Sequence, residues 1–86
     1  MPDFNLEIVS PQGLVLQCPC SLVVLPSVSG DLGIMRSHES IIAILKEGKI
    51  LVYNSKQSLI NELNITSGFA EMYDAEKLLV LVDEVI

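Results

Sequence analysis

Tryptophan is absent from the chain, and the aromatic residues are Phe4, Tyr53, Phe69 and Tyr73 alone. That is too little for the stacking platform a sugar-binding site would want. Alanine, the best helix former, occurs three times, whereas valine and isoleucine occur nine times each. The balance is unfavourable to helices and favourable to strands. Basic residues are scarce, with five Lys and Arg against eleven Asp and Glu and a net charge of -6. Arg36, Lys46, Lys49, Lys56 and Lys77 are scattered, so the chain would repel a phosphate backbone and nucleic acid is excluded as a partner. Long apolar runs are missing too. The longest, Ile41 to Leu45 and Leu78 to Val82, have five residues each, against the ~20 of a spanning helix. Met1-Pro2-Asp3-Phe4 lacks the basic head and apolar body of a signal peptide.

What the chain does have is a rich apolar complement: half of its 86 residues are hydrophobic, 13 of them leucine. A domain this small buries only roughly 65% of its unfolded surface, so it needs that richness to fold alone. Phe4, Leu6 and Ile8 interleave with Asp3, Asn5 and Glu7, the period of two of a half-buried strand. Pro11-Gln12-Gly13 turns the chain, Leu14 to Cys18 forms a second strand that Pro19 interrupts, and Leu22 to Leu25 forms a third. Further runs follow at Ile41 to Leu45, Ile50 to Tyr53, Leu59 to Ile65, Phe69 to Met72 and Leu78 to Val82. Eight runs at this spacing predict an all-β two-sheet sandwich, one domain over residues 1–86. Glu47-Gly48 is expected to close a tight hairpin, with glycine at positive φ. Ser37 suits a helix cap ahead of Ile41 to Leu45, but the β-branched content there favours a strand.

Catalytic constellations are not found. Ser37-His38-Glu39 holds a nucleophile, a base and an acid, but as chain neighbours whose side chains point to opposite sides. Gly30-Asp31-Leu32-Gly33 lacks the lysine of a phosphate loop and carries an acid in its place. Cys18 and Cys20, at i and i+2, lie ~6.6 Å apart along an extended chain, too far for an unstrained disulfide. With His38 they match no common zinc spacing, and the ordinary role of such cysteines is as small buried hydrophobes. No metal and no cofactor is expected. The acids Glu71, Asp74, Glu76, Asp83 and Glu84 near the end read more simply as a solvated rim than as a site for a basic partner.

The stretch Gly30-Asp31-Leu32-Gly33-Ile34-Met35-Arg36-Ser37-His38 reads as a shaped polar loop on a β scaffold, the kind of element that binds a partner. Together with Leu45-Lys46-Glu47-Gly48, Thr66-Ser67-Gly68-Phe69-Ala70-Glu71-Met72 and Leu79-Val80-Leu81-Val82-Asp83, it resembles in order and spacing the N-terminal domain of the epsilon subunit of F-type ATP synthase. The resemblance covers essentially the whole chain. It implies a sandwich of about ten short strands at the foot of a rotor's central stalk. Such a subunit holds the gamma subunit, rests on the c-ring, helps couple proton flow to ATP synthesis and catalyses nothing itself. It implies that Gly30, Asp31, Leu32, Gly33 and His38 face the c-ring, while the residues facing gamma stay unassigned. It also implies a peripheral position at the cytoplasmic face of the bacterial inner membrane.

Two departures qualify what the resemblance implies. Arg36-Ser37 and Glu39-Ser40 replace the Pro-Gly and Ala-Pro common around the histidine in the family, making the loop more charged. The helical hairpin that follows the sandwich in many members has no counterpart here, so neither nucleotide binding nor inhibition by that hairpin is expected. Ile41 to Leu45 and Leu78 to Val82 are apolar on both strand faces, so part of each should stay outside the core and offer a partner surface. The alternatives are a free-standing acidic sandwich that binds a ligand or protein, and a small thiol- or metal-dependent enzyme built on Cys18, Cys20 and His38.

Overall fold

The computed structural model describes residues 3–36 and 40–86. Every described element is a strand: β1 (Phe4–Ser10), β2 (Gly13–Cys20), β3 (Leu22–Ser27), β4 (Gly30–Ile34), β5 (Ile41–Leu45), β6 (Gly48–Tyr53), β7 (Leu59–Ile65), β8 (Gly68–Asp74) and β9 (Lys77–Val82). The all-β expectation holds, with nine described strands where about ten were expected. Their hydrogen-bonded order is β2-β1-β9-β8-β5-β3-β6-β7, with β4 on β3. The path folds over where β3 meets β5, at the single pair Ser27 and Leu45. Two backbone bonds reinforce that fold line, Val28 N–H to Ile44 O at 2.9 Å and Lys46 N–H to Pro26 O at 2.8 Å.

Alternation along the strands assigns one face of each to the interior. On β1, Phe4, Leu6 and Ile8 are buried, and on β9, Leu78, Val80 and Val82. Val23 and Leu25 of β3, with Ile50 and Val52 of β6, close over them from the other side in one cluster. The order is not that of a simple meander, because β1 and β9 pair in parallel, Asn5 opposite Lys77 through Val9 opposite Leu81. First and last strands thus lie side by side inside the same layer.

Three readings of the chain are corrected. Pro19 does not interrupt the second strand, which runs on to Cys20. Asn5 donates its N–H to Glu76 O on the β9 side, so Pro19, opposite Asn5, turns its nitrogen to the open edge, where no donor is needed. Glu47-Gly48 does not close a hairpin. β5 pairs with β8 and β3, and β6 with β3 and β7, so the dipeptide carries the chain from one layer to the other. Gly48 has no positive φ; a Cβ there would come within 2.7 Å of the Pro26 ring, so a close approach excludes larger residues.

Gly68 obeys the same constraint more severely, since a Cβ would fall 2.3 Å from the Leu81 carbonyl oxygen of the paired strand. Gly68→Ala is expected to lower the free energy of unfolding by about 2 to 3 kcal/mol, measured by urea denaturation. An unchanged midpoint would mean that β8 and β9 lie further apart than described.

Candidate functional site

The candidate site is carried by the β3–β4 hairpin and the groove beneath it. Gly30 to Ile34, expected as a loop, form strand β4, paired antiparallel with β3 from Val23–Ile34 to Ser27–Gly30. Val28 and Ser29 make the turn, and Gly30 follows at φ +118°. This is a two-residue hairpin turn followed by a glycine at positive φ, and the β3–β4 register runs unbroken up to it. Ser27 locks it, donating its hydroxyl to Gly30 O at 2.6 Å and accepting the Ser29 N–H at 3.2 Å. The chain uses the same device at Ser10 to Gly13. There Gly13 has φ +127°, and Ser10 Oγ accepts the Gln12 N–H at 3.2 Å.

The hairpin sorts the expected site residues by face. Gly30, Asp31 and Gly33 are exposed, while Leu32 is half-buried and packs against the core cluster. Asp31 stands opposite Pro26 on β3, and among the described residues no cation pairs with it. His38 lies outside the described residues, as do Ser37 and Glu39. Arg36, just before them, is tied by an ion pair of 2.6 Å to Glu76, ahead of β9. At the surface such a pair contributes about 0 to 1 kcal/mol, enough to bias where the segment leaves β4 but not to fix it.

Beside the hairpin, Ser27, Val28, Ser29, Leu32, Ile42 and Ile44 line a shallow groove of about 360 Å³. Val28, Ile42 and Ile44 are 59%, 65% and 60% exposed. The expectation that β5 would leave apolar side chains outside the core is met, and they lie next to the hairpin that presents Asp31. The arrangement suits a protein surface, an apolar floor beside an exposed carboxylate carried on paired backbone. A second groove, of about 440 Å³, sits between Ser21, Leu22, Met35, Tyr53 and the turn after β6. Its one aromatic residue, Tyr53, does not make the aromatic cleft a small-ligand site would favour.

The thiols are built into the scaffold. Cys20 is 1% exposed, facing the core opposite Phe4. Burial first, then the neighbouring Cys18 and Asp3, pushes its thiol up to about 12. Burial also raises Cys18. Both changes suppress the thiolate, the form that attacks electrophiles and binds metals. Among the described residues no three His, Cys, Asp or Glu side chains group to hold a metal ion.

Comparison with known proteins adds to this geometry. Residues 3–86 match the family model "ATP synthase, Delta/Epsilon chain, beta-sandwich domain". The chain is 36% identical over 84 residues to the ATP synthase epsilon chain of Granulibacter bethesdensis, covering 98% of itself and 61% of that protein. It is 40% identical over 78 residues to the epsilon chain of Campylobacter jejuni, covering 90% of itself and 58% of that protein. The chain therefore spans about 60% of the length of these curated relatives. A chain in the Euglena gracilis mitochondrial ATP synthase structure of OSCP, F1 and c-ring shares the fold, with a TM-score of 0.87 at 20% identity over 100% of this chain and 54% of that one.

The two glycines of the hairpin should respond differently to a methyl group. Gly30→Ala is expected to cost about 1 to 2 kcal/mol because of its left-handed backbone. Gly33→Ala, with an ordinary 3.5 Å contact to Leu22 Cδ1, should stay within about 0.5 kcal/mol; equal losses in denaturant titrations would contradict this account. Cys20 makes a separate prediction. Its folded pKa lies above the unfolded value, so its contribution is complete below about pH 9 and is lost as pH rises toward 12. The alkaline fall in melting temperature should flatten in Cys20→Ala, and an identical fall would remove the thiol as its source.

Proposed function

Because the chain belongs to the β-sandwich domain family of the ATP synthase delta/epsilon chains, we propose that it is a central-stalk subunit of a proton-translocating F-type ATP synthase. In this reading it holds the gamma subunit, rests on the c-ring and helps couple ring rotation to ATP synthesis, with no covalent chemistry of its own. The observation that carries the reading is the continuous match of residues 3–86 to one family, together with relatives that are all named epsilon chains. The same domain is taken to span residues 1–86.

The c-ring contact is assigned to Gly30, Asp31, Leu32, Gly33 and His38. The left-handed Gly30 and the Ser27 lock support it, because together they present Asp31 from paired backbone rather than from a slack loop. A carboxylate so held suits a basic group on the ring's polar loops. It sets orientation more than affinity, since an exposed pair contributes about 0 to 1 kcal/mol. Leu32, half-buried against the core cluster, serves by holding β4 in place. No described helix is long and apolar enough to cross a membrane; the reading places the chain at the cytoplasmic face of a bacterial membrane through its partners. The named bacterial relatives support that placement.

The test is a pull-down of the tagged chain from detergent-solubilised membranes, with co-purifying proteins identified by mass spectrometry. Gamma, the catalytic subunits and the c subunit are expected, and recovery of the chain alone from an extract containing assembled synthase would overturn the reading. Asp31→Arg should reduce c-subunit recovery several-fold while leaving the melting temperature within about 1 °C, as befits an exposed position. Unchanged recovery would remove the site assignment while sparing the stalk reading.

A further inference from the structure

At the end of β4 away from the Val28–Ser29 turn, an exposed thioether meets a rigid wall of hydrogen-bond donors. Of the chain's methionines, Met72 is fully buried in the core cluster, whereas Met35 is 50% exposed. Ile34 points inward, so the residue after it turns outward. The Arg36–Glu76 ion pair holds the chain on the other side of Met35. Continuing the pairing of Val23 with Ile34 by one residue puts Met35 beside Leu22, which lies opposite Tyr53. All three line the groove of about 440 Å³.

The other wall of the groove is the turn after β6, and it is organised around Asn54. The Asn54 N–H donates to Ser58 O and the Gln57 N–H to Asn54 O, each at 3.0 Å. The Asn54 side chain completes the turn, its Oδ1 accepting the Lys56 N–H at 2.9 Å and the Ser58 N–H at 3.0 Å. Gln57 has φ +64°, a left-handed backbone that a residue other than glycine keeps only where its surroundings hold it. Two bonds to Oδ1 settle which way the Asn54 amide points, so Nδ2 is the end left to donate. It stands on the same wall as the Ser55 hydroxyl and the Gln57 amide. A thioether accepts hydrogen bonds only weakly, so Met35 and the wall across from it are mismatched.

We propose that Met35 is a site of reversible oxidation by peroxides, and that its sulfoxide accepts a hydrogen bond from Asn54 Nδ2, tying the end of β4 to the turn after β6. The O–O bond of the peroxide breaks as an S–O bond forms. Sulfur gives up two electrons and keeps one oxygen, and the other oxygen leaves as water or an alcohol. A methionine sulfoxide reductase reverses the step with two electrons from thiols, and the oxygen leaves as water. In a core the polar sulfoxide would disrupt packing. Here the side chain already stands half in water, and oxidation gives it the strong acceptor that the donor wall lacks. The site goes beyond the stalk reading and does not depend on it.

The experiment treats the purified chain with hydrogen peroxide, follows each methionine by peptide mapping in a mass spectrometer, and records melting curves before and after. Met35 is expected to gain oxygen at least about tenfold faster than Met72, and methionine sulfoxide reductase to remove it. Comparable rates in folded protein, or a sulfoxide that the reductase leaves in place, would overturn the site. Asn54→Asp tests the tie, because it keeps an acceptor for the Lys56 and Ser58 N–H and removes only the donor. Oxidation should leave the parent's melting temperature at least as high as before and lower that of Asn54→Asp by a few degrees. Met35→Leu should show no change on oxidation in either background. Equal shifts in the parent and in Asn54→Asp would remove the tie. Should Asn54→Asp fail to fold, amide exchange of the parent decides: the Lys56 and Ser58 N–H should exchange more slowly after oxidation, and unchanged exchange would overturn the tie.

Discussion

The parallel pairing of β1 with β9 is the interaction on which the rest of the domain depends. β1 brings β2 with it as a hairpin, and β9 brings β8 and then β5, so the five-stranded layer exists only because these two strands meet. The buried faces of both strands, Leu6 and Ile8 beside Leu78 and Val80, form the floor on which β3 and β6 close. Their outer faces set Val9 beside Leu81. One register of five residue pairs thus organises the interior and the outer surface together, and a slip of one residue would turn every side chain of β9 to the wrong face.

The hairpin of Gly30 and Asp31 stands in contrast. It is attached to β3 alone, off the main path, and its shape is set locally by Ser27 and by the left-handed Gly30. A contact placed there can vary in sequence without disturbing the core, provided Ile34 and Leu32 keep their inward positions. The outer face of β9 has no such freedom, because Leu79 and Leu81 each sit one position from a core side chain.

Much of this was legible in the sequence, and the failures have identifiable causes. Each of the eight apolar runs became part of a strand because period-two alternation and β-branched content act locally and agree. Gly30 to Ile34 read as a loop because Gly and Asp are poor strand formers; pairing along β3 overrides that preference, and only Leu32 and Ile34 carry the inward alternation. Gly48 was recognised as necessary for the wrong reason, since the approach of Pro26 is a tertiary fact. The exposed halves of β5 and β9 were foreseeable from runs apolar on both faces. Their alignment with Phe69, Val9 and Leu14 was not, because it requires the β1–β9 register between the two ends of the chain. His38, the residue most conspicuous in the sequence, lies outside the described residues.

Side-by-side placement of the first and last strands also bears on biosynthesis. A ribosome delivers β1 and β2 early, and their hairpin can form at once, but the neighbour that β1 needs on its other side is separated from it by everything from β2 to β8. Until that strand is made, Leu6 and Ile8 lack a partner, and the nascent chain carries an open, oily sheet edge until β9 emerges. Pro19, which withholds a donor from the far edge of β2, guards the side of that hairpin that no described strand covers.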